Sequence, residues 1–294
     1  MTPDLSAADS FMATHARVLD RRRFELLRGT GDPDAVLAAA DAYRNPDGGY
    51  GWGLEPDLRS PESQPGGALH AFEAFEDAGV ATPRAVELCD WLDSVTLADG
   101  GLPFALPVRD AAGVAPFWAN ADPSASSLQI TAYVTGTALR VAAIDPGVAA
   151  HPWVARATDY CLGAIAQLGD DPFALAVNAS LGFLDAAHAS RPEADALIDR
   201  LGRAIPASGL LHVRGGAADE KMRPLDFAPY PDRPVRRLFA PETIAAELER
   251  LAGAQRDDGG WTVDFRSYSP QATLEWRGYM TVRAVSILRR NSVS

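Results

Sequence analysis

The chain has 294 residues, 47% hydrophobic and 22% charged, with 27 basic against 39 acidic side chains and a formal net charge of -12. That composition supports a large buried core, and its negative field repels nucleic-acid phosphates, so nucleic acid is excluded as an expected partner. The two cysteines, Cys89 and Cys161, lie in helix-like segments and read as small apolar core residues in a reducing compartment, which makes a cytoplasmic protein the expectation.

The first 24 residues place acids ahead of the cluster Arg21, Arg22 and Arg23 and lack an apolar run of signal-peptide length, so they read as one amphipathic helix. Asp32-Pro33-Asp34 then reads as a helix N-cap ahead of the amphipathic run DAVLAAADAYR. After Pro65, Leu69, Phe72 and Phe75 fall on one helical stripe with Ala68 and Ala71 beside them, while Glu73, Glu76 and Asp77 lie largely off it. PRAVELCDWLDS and PETIAAELERLAG are amphipathic in the same way. SSLQITAYVTGTALRVAA and FALAVNASLGFLDAAHA carry few charges and read as buried helices. Residues 212–239 form a long Pro-rich stretch whose Phe227, Tyr230 and Leu238 suit a folded lid or edge loop. No run of ~18 apolar residues occurs, so no integral membrane segment is expected.

The organisation lies in a repeat. The triplet Asp-Gly-Gly closes a helix-like run at Asp47, Asp99 and Asp258, with intervals of 52 and 159 residues, the second close to three times the first. Worn copies at Asp170 and Ser208 fill the gap. Two successive glycines permit positive φ and stop a helix, and the preceding Asp can bond its own backbone. Ser60-Pro61 and Ser269-Pro270 are helix-start signals beyond the first and last copies. Each unit is therefore helix, turn, aromatic loop, helix. The whole of residues 1–294 is expected to form one all-α domain of about five to six helical hairpins closed into an α/α toroid, with an open solenoid as the rival.

Gln255, Gly259 and Trp261 match the QxxxGxW core of the QW repeat, with looser versions at Arg44, Gly48 and Tyr50 and at Thr96, Gly100 and Leu102. The sequence thus resembles the terpenoid cyclase and protein prenyltransferase toroids. The resemblance implies an α/α toroid around an apolar cavity, with the Gln and Trp in structural roles. The DxDD acid and the DDxxD magnesium cluster of the cyclases are missing. Asp159, Cys161 and His212 imitate a prenyltransferase zinc set without its Gly-rich approach; no metal or cofactor is expected. The five histidines form no HxxxH or HExxH pair.

Ring closure would make the first and last repeats neighbours, bringing the loop after Asp47 beside the last helix. That places Trp52, Glu55 and Asp57 with Glu275, Trp276 and Arg277 at one mouth, where Asp57, Glu55 and Glu275 are the candidate catalytic acids. A partly desolvated carboxyl beside tryptophan gains the raised pKa of a general acid. The alternative is a structural cluster in which Glu55 and Asp57 cap a helix and pair with Arg59. Trp118, Phe227 and Tyr230 join Trp52, Trp276 and Arg277 as candidate substrate-binding residues. Three functions stay open: a terpene cyclase-like enzyme with a non-standard acid and a hydrophobic small-molecule substrate; a non-catalytic toroid binding a hydrophobic ligand or protein partner; and a carbohydrate-active enzyme with paired carboxylates. A deep apolar cavity would favour the first, a filled axis the second, and facing carboxylates in an open groove the third.

Overall fold

The computed structural model describes residues 2–293. The chain opens with α1 (Leu5–His15), α2 (Val18–Leu27) and α3 (Pro33–Ala40), followed after a 3-10 turn by α4 (Pro65–Ala78) and α5 (Pro83–Val95). Next come the short α6 (Pro116–Ala119), α7 (Leu128–Ala142), the short α8 (Pro146–Ala149), α9 (Pro152–Ala166), α10 (Ala174–Ala187) and α11 (Ala194–Gly202). Two-residue strands β1 (Leu211–His212) and β2 (Lys221–Met222) pair antiparallel before the short α12 (Pro224–Phe227), α13 (Pro241–Gly253) and the long α14 (Pro270–Arg290). The fold is all-α. Among the described residues no helix is long and apolar enough to cross a membrane.

The helix starts follow local chemistry. Asp4 and Asp32 accept backbone N–H bonds at the heads of α1 and α3, and Ser269 caps α14 ahead of Pro270. Ser60-Pro61 does not start a helix; α4 begins at Pro65, after a loop whose ends are tied by the Gln64 N–H donating to the Tyr50 carbonyl at 2.9 Å. The expected single N-terminal helix is two. It breaks at Ala16 and Arg17, both extended, which turns the Arg17 guanidinium inward onto Asp20 at 2.8 Å and the Leu54 carbonyl at 2.9 Å.

The three Asp-Gly-Gly turns share one geometry. Gly48, Gly100 and Gly259 have φ of 88°, 93° and 92°, and Asp47, Asp99 and Asp258 each accept the N–H two residues on, at 2.9, 3.1 and 3.2 Å. The same Asp oxygen holds the start of the next helix through Ser63 at 2.8 Å in the first copy and Ser126 at 2.6 Å in the second. Asp170 lies between α9 and α10 and Ser208 follows α11. In the last copy Gln255 donates to the Asp4 and Gly259 carbonyls at 2.8 and 2.9 Å and accepts the Asp4 N–H at 2.7 Å, bracing the cap of α1 across 251 positions. Trp261 is buried and donates to the Leu251 carbonyl at 2.8 Å.

Packing runs from neighbour to neighbour. α4 packs on α7 and α7 on α10, α10 meets α12, α12 meets α13, α13 meets α14, and α14 returns to α2, which touches α4. α7 and α10 approach closely, since a methyl on Gly136 would stand 3.0 Å from the Phe183 Cα. Cys89 and Cys161 are free and buried in the core.

Candidate functional site

The loop after the first Asp-Gly-Gly turn meets the last helix. The Asp57 carboxylate accepts the Trp276 indole N–H at 2.8 Å, the Tyr268 backbone N–H at 2.9 Å and the Ser267 hydroxyl at 3.3 Å, across more than 200 positions. Glu275 accepts from Arg59 at 2.7 Å and from Gln271 at 2.9 Å. Glu55, Asp57 and Glu275 are only 7%, 3% and 6% exposed. Burial pushes the Asp57 carboxyl up, against the pull of its three donors.

A hydrogen-bonded chain leads inward from this junction. Glu55 lies 2.9 Å from His70 Nε2, His70 Nδ1 lies 2.8 Å from Glu73, and the second Glu73 oxygen accepts the Tyr279 hydroxyl at 2.9 Å. Burial disfavours an imidazolium at His70, but the carboxylates of Glu73 and Glu55 outweigh it and push the ring up to about 9. Glu73, although buried, is held down to about 2 by His70 and Arg23 and by the Tyr279 bond. Trp276 and Tyr279 stand edge-on to the His70 ring, with centroids 5.8 and 5.3 Å away.

Glu73 and Tyr279 form part of the wall of a cavity of about 190 Å³, room for several waters or one small polar molecule. Its wall comes from four helices: residues 69–77 of α4, 132–140 of α7, 178–186 of α10 and 279–290 of α14, closed by Phe227, Pro229, Tyr230 and Arg233. Five arginines and five acids line it. Arg23 pairs with Asp77 at 2.6 Å, Arg140 with Glu76 at 2.9 Å and Arg283 with Asp226 at 3.0 Å, while Tyr133 donates to Asn178 at 2.7 Å. Asp185 makes no ion pair among the described residues; it accepts the Val235 N–H at 2.8 Å. Burial pushes its carboxyl up to about 6, against the Val235 bond and the charge of Arg233.

Compared with known proteins, the chain matches no protein-family model and no curated sequence.

The expected mouth is therefore only partly assembled. Glu55, Asp57, Glu275 and Trp276 come together but do not line the cavity. Trp52 stays apart from them, 58% exposed at a φ of 57°, with its indole donating to Asn45 at 2.8 Å. Arg277 leaves by another face of α14, pairing with Asp258 at 2.7 Å and covering the Phe11 ring at 4.6 Å. Trp118 stacks on Phe104 with centroids 4.3 Å apart. Phe227 and Tyr230 do reach the cavity, and the Pro-rich stretch is folded, with β1, β2 and α12 in it and residues between 226 and 233 in the cavity wall. The zinc-like trio is separated by environment: Cys161 is in the core, whereas Asp159 is largely exposed and bonded to Arg191. Among the described residues no group of three His, Cys, Asp or Glu side chains is arranged to hold a metal ion.

Sequence reading passed over Asp185, Arg140 and Arg283 as site residues. Their signal was present: Asp185 and Arg140 are lone charges within otherwise apolar helices, and a charge in a buried helix is retained only where something pairs it or uses it.

Proposed function

We propose that the chain is an α/α toroid whose central cavity binds a small hydrophilic substrate of the carbohydrate type and acts on it by proton transfer at Asp185. The ring reading is supported by the circuit of packed neighbours from α2 through α14 and back. The sharing of one cavity by α4, α7, α10 and α14 further supports it, because the inner members of a closed set of hairpins converge on a common space.

The observation that carries the substrate class is the charged wall. Guanidinium and hydroxyl donors alternate with carboxylate acceptors, and a polyol offers both a donor and an acceptor at each hydroxyl. The terpene cyclase-like activity expected from the QW resemblance draws no support from this wall. An isoprenoid chain would displace water from the wall charges that have no ion-pair partner among the described residues, Asp185 and Arg233, without replacing its hydrogen bonds, at about 1–3 kcal/mol for each group left unsatisfied.

Asp185 is the proton-transfer group because the other acids of the wall are engaged: Asp77, Glu76 and Asp226 by arginine and Glu73 by His70. A carboxyl near 6 exchanges protons at neutral pH far more readily than an ordinary aspartate. The test is proton NMR of small aldoses and ketoses incubated with the protein in D2O, which reads proton transfer directly. Wild type is expected to exchange a carbon-bound hydrogen of at least one sugar, and Asp185→Asn to lose the exchange with no fall in melting temperature. Equal exchange by the variant, or exchange with none of the sugars, would remove the catalytic assignment.

A further inference from the structure

The cavity's charges are unevenly distributed. Once the three arginine–carboxylate pairs and the His70–Glu73 contact are set aside, Arg233 and Arg290 remain as arginines without a carboxylate partner among the described residues. Both line the cavity with Tyr230, and the Arg290 guanidinium lies 4.3 Å from that ring's centroid. Arg290 is solvent-exposed and Arg233 half-buried, so these two uncommitted cations stand where the cavity meets solvent. They occur in a chain of net charge -12, whose long-range field repels anions, so attraction of an anion here has to come from groups placed at short range.

Resting on the hydrophilic-substrate reading, we infer that the substrate is an acidic sugar or comparably small polyol whose oxyanion, carboxylate or phosphate, docks on Arg233 and Arg290. Guanidinium groups suit this task because their donors are planar and match two oxygens of one oxyanion at once. Tyr230 holds the Arg290 side chain by its π face, which lessens the ordering needed on binding. The neutral hydroxyls then extend toward Asp185 and Asn178, on the α10 wall.

Calorimetric titration separates the possibilities with three probes, D-glucose, D-glucuronate and D-glucose 6-phosphate. Wild type is expected to bind one of the two acidic sugars at least tenfold tighter than D-glucose, and which one identifies the oxyanion. Arg233→Gln and Arg290→Gln are each expected to cut that preference below threefold, and the double variant to abolish it; thermal melts confirm that each is folded. An equal affinity for all three sugars, lost on filling the cavity, would overturn the oxyanion inference while leaving the hydrophilic cavity in place. A preference that survives in the double variant would also overturn it. Binding of none of the three by wild type would overturn both.

Discussion

Replacing His70 with glutamine tests the buried chain that fixes one wall of the cavity. His70 is 5% exposed, with a carboxylate 2.9 Å from one ring nitrogen and another 2.8 Å from the other. Burial opposes the charged ring, yet Glu73 and Glu55 raise it from 6.5 to about 9. At about 1.4 kcal/mol per tenfold change in proton affinity, that rise corresponds to ~3 kcal/mol of folding stability. The folded value lies above the unfolded one, so this contribution is complete below pH 6.5 and is lost as pH climbs through about 9. Glu73, held down to about 2, reports the same contact from the other side and is not added to it. Urea unfolding of wild type and His70→Gln should be compared near pH 6 and near pH 9.5. Near pH 6 the variant should be less stable by about 3–5 kcal/mol, because two buried carboxylates lose their cation. Between the two pH values wild type should lose ~2–3 kcal/mol more than the variant. Parallel pH profiles would refute the reasoning, since they would mean that the ring is uncharged in the folded protein.

Asp185→Asn should stabilise the fold at neutral pH by about 1–3 kcal/mol, because burial penalises the charged carboxylate. As the folded value of about 6 lies above the ordinary 3.8, that gain should shrink as pH falls below 6 and vanish below 4 in thermal melts. Trp276→Phe removes the indole donor from buried Asp57 and should cost about 1–3 kcal/mol by urea unfolding, with a larger loss at pH 8 than at pH 5 because the carboxyl rises further. Gly259→Ala should cost more than about 3 kcal/mol, since its methyl would stand 2.1 Å from the Ala7 carbonyl oxygen at a φ of 92°; a variant that melts like wild type would contradict that geometry.

The fold was legible where one residue type has one local use. The first glycine of each Asp-Gly-Gly turn adopts positive φ, Asp32 and Ser269 cap the helices they precede, and the nearly uncharged segments become α7 and α10. The meeting of Asp57 with Trp276 was legible too, because the expected ring closure would make the first and last repeats neighbours. The cavity was not. Glu73, Glu76 and Asp77 lie off the apolar stripe, and periodicity distinguishes apolar from polar sides but not bulk water from a polar cavity. Arg277 and Trp276 are adjacent in sequence yet point to different faces of α14, which residue spacing on a helix anticipates and the topological argument ignored. Arg17 breaks its helix for a tertiary partner at Leu54, a contact no local pattern encodes.

Gly182 offers the most direct test of the central cavity as the binding site. It lines the cavity from the middle of α10, and a Cβ built there meets no heavy atom within 4 Å, so a longer side chain has room to enter. Glutamine fills the space with a polar, helix-favouring side chain that should hold or raise stability by up to about 1 kcal/mol. Titration of Gly182→Gln with D-glucose, D-glucuronate and D-glucose 6-phosphate, alongside its thermal melt, is the decisive measurement. The predicted result is a melting temperature at or above that of wild type with sugar binding weakened at least tenfold. Sugar affinity equal to that of wild type in the stable variant would place binding elsewhere and contradict the account.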